Sequence, residues 1–130
     1  MAQPIYALGL GCERGCEPQE LLTLANSVLK EAKIAAMDLI GVFSIDQRRD
    51  EPAVVYIAEQ FGLPVTSFSA AMLERETSRL HNPSERVFAL MGCHGVAEAA
   101  ALAGVGPTGI LVVGKTKSAH ATAALAVTKR

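Results

Sequence analysis

A chain of 130 residues, half of them apolar and with a net charge of -1, is long enough for one packed core and too evenly charged to present a basic nucleic-acid surface. An aromatic share of 5% with no Trp removes stacking platforms for bases as well. No apolar run reaches the length of a membrane span, and Met1-Ala2-Gln3-Pro4 has neither the basic nor the apolar stretch of a signal peptide, so a cytoplasmic protein that meets neither nucleic acid nor membrane is expected.

From Ile5 the chain is apolar enough for one buried strand, which then breaks into Gly9, Gly11 and Gly15 with Cys12, Glu13 and Arg14 among them, a strand entering a glycine-rich turn. Pro18 suits a first helical position, with Glu17 and Glu20 near the positive end of the dipole, and Leu21, Ala25, Val28, Leu29 and Ala32 recur at helical spacing. Leu39 to Ile45 is a nearly continuous apolar run, as expected of a strand covered on both sides in a parallel sheet. It ends in the charged hexapeptide Asp46-Gln47-Arg48-Arg49-Asp50-Glu51, after which Pro52 opens a helix that should stop near Gly62.

Val65 to Phe68 reads as a third strand, with Ser69 placed to cap a short helix over 70–75. The apolar pattern lapses from Glu76 to Asn82, which predicts a surface loop. Asn82, Pro83 and Glu85 then spell an N-cap, a first-turn proline and a capping-box acid for a helix ending at Gly92. Val96, Ala99, Ala100 and Ala103 mark a slim, alanine-rich helix ended by Gly104. Ile110 to Val113 is a strand core and Gly114 to Ala119 a basic turn. Ala121, Ala123, Leu125 and Val127 alternate with Thr122 and Thr128, which closes a hairpin. The expected fold is α/β: one domain over 1–130, a three-layer αβα sandwich with a mostly parallel open sheet and a C-terminal antiparallel hairpin.

Two motifs mislead. Gly9-x-Gly11-x-x-x-Gly15 has its third glycine one position late for a dinucleotide fingerprint, and the acid expected about 20 residues further on is missing. Gly109-Ile110-Leu111-Val112-Val113-Gly114-Lys115-Thr116 satisfies the P-loop pattern, but its four central residues form a strand, which separates the glycines instead of wrapping them round a phosphate. Cys12, Cys16 and the Cys93-His94 pair lack zinc-site spacing, and three sparse cysteines fit reduced thiols, so neither metal nor cofactor is expected. Cys12 could be a reactive thiol, because a helix N-terminus and Arg14 both lower a thiol pKa. His81 and His120 read as surface residues.

The stronger constellation is topological. In open parallel sheets ligands bind beyond the carboxyl ends of the strands. That edge would gather Gly11, Cys12 and Arg14, then Asp46, Arg48, Arg49, Asp50 and Glu51, then Ser67 and Ser69, and finally Lys115 and Lys117. Arginine forks and lysines suit an anionic ligand, carboxylates above all. Read as solvated surface, the same charge run only caps a helix.

Gly9-x-Gly11-Cys12-x-Arg14-Gly15, Ser44-Ile45-Asp46-x-x-Arg49-Asp50-Glu51, Phe68-Ser69, Val96-Ala97-Glu98-Ala99-Ala100-Ala101-Leu102 and Lys115-x-Lys117 with Thr122-x-Ala124-x-Ala126 occur in that order. Together they resemble the CobE/CbiG C-terminal domain family of cobalamin (vitamin B12) biosynthesis, in its stand-alone CobE-like form. The resemblance implies a domain that handles precorrin intermediates, macrocycles fringed with acetate and propionate, with other enzymes of the pathway as further partners. In the longer fused proteins the activity is hydrolytic: a ring-A lactone is opened and a two-carbon aldehyde lost. On this reading Gly9, Gly11, Cys12, Arg14, Gly15, Arg49, Asp50, Ser69, Glu98, Lys115 and Lys117 bind the substrate, and Asp46 or Glu51 is the general base, with His94 a weaker base candidate. The alternative is a non-catalytic carrier that delivers a tetrapyrrole intermediate between pathway enzymes.

Overall fold

The computed structural model describes residues 3–129; Met1 and Ala2, on which part of the signal-peptide reading rests, and Arg130 lie outside them. Among the described residues, five strands form one sheet: β1 (Pro4–Cys12), β2 (Leu39–Ile45), β3 (Val65–Phe68), β4 (Ile110–Lys117) and β5 (Ala121–Lys129), in the spatial order β3-β2-β1-β5-β4. β1, β2 and β3 pair in parallel, whereas β5 runs antiparallel to both β1 and β4. β4 therefore points the same way as β1 to β3, and all four carboxyl ends share one edge.

The helices are α1 (Pro18–Ala32), α2 (Pro52–Phe61), α3 (Ala70–Glu74), α4 (Glu85–Met91) and α5 (Ala97–Val105). α1 and α2 bury Leu21, Leu24, Val28, Val54 and Ile57 against Leu8, Leu10, Val42 and Leu125 on one face. α5, with Leu73 of α3, packs on Ala7, Phe43, Ala124 and Ala126 on the other. This is the expected three-layer αβα sandwich. Pro18 and Pro52 open their helices, Gly62 follows α2, and the Ser69 hydroxyl accepts the Met72 N–H at 3.2 Å, all as the sequence predicts. β4 occupies the strand that invalidates the P-loop pattern.

Five local expectations are corrected, the first being the end of α5, which runs through Gly104 to Val105 with Gly106 after it, where Gly104 was expected to end the helix. β1 continues through Gly9 and Gly11, paired with Ala124 and Thr122 of β5, so only Gly15, at φ 79°, belongs to a turn. The cap of α4 is Ser84, whose hydroxyl accepts the Val87 N–H at 3.2 Å, because Asn82 is occupied elsewhere. The loop before it is tied down: the Arg79 guanidinium donates to the carbonyls of Gly109 at 2.8 Å and Gly106 at 3.3 Å, and pairs with Glu76. The basic turn is shorter than predicted, since Gly114 to Lys117 are strand.

β5 lies between β1 and β4, so Ala123 to Ala126 are fully buried, and small side chains there let α1 and α5 approach from opposite faces. On the other side of β1, the buried Ser44 hydroxyl donates to the Leu10 carbonyl at 2.7 Å, a side-chain link from β2 to β1. Ser44→Ala should therefore lower stability by about 1 kcal/mol, read as a fall in the urea midpoint; an unchanged midpoint would assign that bond no net value.

Candidate functional site

The chain steps outward from β1 to β2 to β3, then returns to the far side of β1, so the strand order reverses at β1 and a crevice opens beyond its carboxyl end. A cleft of about 600 Å3 lies there, within the range of small-molecule sites. β1 contributes Gly11 and Cys12, the start of α5 contributes Val96 to Glu98, and Arg48 reaches in from the turn after β2. The remaining lining comes from Asn82 and Ser84, from Arg86, Val87, Leu90 and Met91 of α4, and from Lys115, Lys117 and the residues Ser118 to Thr122 of the β4–β5 hairpin. α4 buries none of its residues, and Leu90 is 71% exposed, so this wall offers apolar surface to whatever enters.

Glu98 braces the cleft. Only 2% exposed, it accepts the Asn82 N–H at 2.9 Å, the Asn82 side-chain amide at 2.9 Å and the Lys115 N–H at 2.8 Å. The register of β4 against β5 shifts between Val113 and Thr116, and Glu98 takes up the Lys115 donor in that interval. Burial opposes ionisation of this carboxyl, but the bonds from Asn82 and Lys115 outweigh it and hold the group below its ordinary value. Burial first, and then Lys117, depress the Lys115 amine, with Glu98 pulling the other way.

A second carboxylate holds the hairpin. Glu20, in the first turn of α1, accepts from the Ser118 hydroxyl, from the His120 N–H at 2.7 Å and from His120 Nδ1 at 3.0 Å. Those bonds push its carboxyl down to about 2. The Glu13 N–H donates to the His120 carbonyl at 2.9 Å, so the turn is fastened to the end of β1 as well.

Of the residues singled out in the sequence, Gly11, Cys12, Glu98, Lys115 and Lys117 line the cleft, whereas Gly9, Arg14, Gly15, Asp46, Arg49, Asp50, Glu51 and Ser69 do not. Gly9 lies beneath α5. Asp46 accepts the Ser67 hydroxyl at 2.6 Å, and Glu51, 9% exposed, accepts the Gly15 N–H at 3.0 Å. Ser69 caps α3, and Arg14, Arg49 and Asp50 are exposed. Arg48 takes the inward place instead, its Nε donating to the Cys12 carbonyl at 2.7 Å. His94 is engaged away from the cleft: its Nδ1 meets Glu74 at 2.8 Å and its ring stacks on Phe88.

Cys12 is not an activated thiol. Burial, then Cys16 and Glu51, raise its pKa to about 12 against the opposing pull of Arg48. Arg86, Asn82 and His120 were missed as cleft residues. A turn between β4 and β5 on the ligand edge was the available signal for His120; no local pattern marked the others. No group of three or more His, Cys, Asp or Glu side chains able to hold a metal comes together among the described residues, and no described helix is long and apolar enough to cross a membrane.

Comparison with known proteins settles the lineage. The family model described as cobalamin synthesis G C-terminus matches residues 6–126. The chain belongs to that family. Within the CobE/CbiG group, Protein CobE of Sinorhizobium sp is 54% identical over 92% of this chain and 77% of that protein. The solved structure of CobE, described as a protein from the cobalamin (vitamin B12) biosynthetic pathway, superposes with a TM-score of 0.87 at 34% identity, covering 96% of this chain and 91% of that one. The cobalt-precorrin-5A hydrolase of Priestia megaterium is 28% identical over 95% of this chain but only 32% of its own length. The family named from motifs is thus the one shown, and this CobE/CbiG chain is a protein of cobalamin biosynthesis.

Proposed function

We propose that the cleft binds a carboxylate-fringed corrin-ring intermediate of cobalamin biosynthesis. The observation that carries this reading is the pairing of four cations, Arg48, Arg86, Lys115 and Lys117, with the apolar wall of Val87, Leu90, Met91 and Val96. A flat macrocycle with an acidic rim asks for that combination: apolar contact for the ring, charge-assisted hydrogen bonds for the side arms. Hydrolysis is the reaction class suggested by the relative named a hydrolase.

Uroporphyrin, an octacarboxylic tetrapyrrole, serves as a probe by fluorescence titration. The Lys115→Ala/Lys117→Ala double variant should bind it about tenfold to a hundredfold more weakly. The Arg14→Ala/Arg49→Ala pair, placed outside the cleft, should bind like the unaltered protein. Equal affinity in all three proteins would overturn the assignment.

The carrier reading is favoured by one feature, the engagement of Asp46 and Glu51 with Ser67 and Gly15 away from the cleft. Incubation with pathway intermediates separates the two: a mass change with turnover marks an enzyme, a spectral shift at constant mass a carrier.

A further inference from the structure

We propose that Glu20 and His120 form an acid–base pair on the hairpin wall of the cleft, in which Glu20 fixes the imidazole through Nδ1 and His120 Nε2 exchanges a proton with water attacking an ester or lactone carbonyl of the bound ligand. The inference rests on the reading of the cleft as a ligand site and supplies the proton-transfer group that Asp46 and Glu51, facing elsewhere, do not provide.

The tautomer follows from the donors and acceptors. An ionised carboxylate only accepts, so the 3.0 Å contact between Glu20 Oε1 and His120 Nδ1 requires the proton on Nδ1. The lone pair of the neutral ring is then on Nε2, which has no hydrogen-bond partner among the described residues. The backbone is held as firmly as the ring, because Glu20 Oε2 accepts the His120 N–H and the Glu13 N–H donates to the His120 carbonyl. The side chain is 55% exposed and lines the cleft, so a ligand there reaches it. Ser118 is not a nucleophile in this arrangement: its hydroxyl donates to Glu20, not to the imidazole, and water is left as the attacking group.

The step balances without a redox partner. Nε2 takes a proton as the water oxygen bonds to the carbonyl carbon and the C=O pair moves to oxygen. The tetrahedral intermediate then expels the alkoxy oxygen, which takes the proton from Nε2, leaving a carboxylic acid and an alcohol. Glu20 is the positioning residue. Its hydrogen bond, its charge and the charge of Glu13 raise the imidazole pKa above its ordinary value, so the neutral base accumulates only at a correspondingly higher pH. The groups facing His120 are Glu20 from α1 and Glu13 from the loop after β1, with Lys117 of β4 on the same cleft wall.

The test uses p-nitrophenyl acetate hydrolysis from pH 5 to 9, with uroporphyrin as competitor. The unaltered protein should show a rate that rises with a single midpoint above the ordinary imidazole value and falls when uroporphyrin is added. His120→Gln should lose about a hundredfold of the rate, and Glu20→Gln should move the midpoint to lower pH. The imidazole 15N shifts of the unaltered protein must show the Nδ1–H tautomer, a readout that survives if Glu20→Gln fails to fold. A wild-type rate in His120→Gln, an unmoved midpoint, or the Nε2–H tautomer would each overturn the pair. Loss of uroporphyrin binding with the rate effects intact would overturn the cleft reading instead.

Discussion

Gly9→Ala is expected to cost at least about 3 kcal/mol, more than most single methyl groups added to a core. A Cβ at this position would stand 2.0 Å from the Ala97 carbonyl oxygen and 2.7 Å from the Ala101 nitrogen. Both belong to the α5 backbone, which cannot swing aside as a side chain would. β1 is equally fixed, paired through Gly9 with Phe43 of β2 and Ala124 of β5. The helix would have to rise off the sheet, opening the buried contacts of Ala97, Ala101 and Leu102 with Ala7 and Ala124, and carrying Glu98 away from Lys115. The thermal midpoint should drop by about 10 °C or more. Gly15→Ala is the control from the same stretch: at φ 79° with nothing within 4 Å, it should lose only about 1 kcal/mol. Similar midpoints for the two variants would refute the close-packing account.

Glu98→Ala should remove about 3 kcal/mol, because it strips the Asn82 and Lys115 donors of a buried acceptor. Amide exchange should quicken across 82–91, which Glu98 anchors through Asn82. The pH dependence has a definite sign. The folded-state pKa of Glu98 lies below its ordinary 4.5, so the folded state binds this proton less readily than the unfolded chain. The stabilisation is therefore complete above about pH 4.5 and is lost as pH falls through the folded-state value. The gap in stability between Glu98→Ala and the unaltered protein should narrow in acid; a constant gap would show that the residue acts by packing alone.

Legibility in the sequence followed the range of each interaction. Pro18 and Pro52 announced helix starts, Gly62 and Gly92 helix ends, and Ser69 a cap, since each acts on backbone groups within a turn of itself. Asn82 misled for the same reason: it has the chemistry of a cap, but Glu98, 16 residues on, claims it and leaves the role to Ser84. The choice between Arg48 and Arg49 was equally hidden. Arg48 ends the 3-10 turn Asp46–Arg48 and Arg49 follows it, so the two side chains leave the backbone in different directions, and it is Arg48 that bonds the Cys12 carbonyl.

The sequence by itself determined the strands and helices to within a few residues, the α/β class and the family. Those conclusions rest on periodicity, on proline and glycine, and on ordered motifs, all carried locally along the chain. The tertiary structure decided that β5 would lie between β1 and β4, which brings His120 to Glu20 across 100 positions and Glu98 to Lys115 across 17. It also set Gly9 under α5 instead of in a ligand turn. Strand order and helix phase are fixed by how whole faces pack, and no local pattern of residues encodes them.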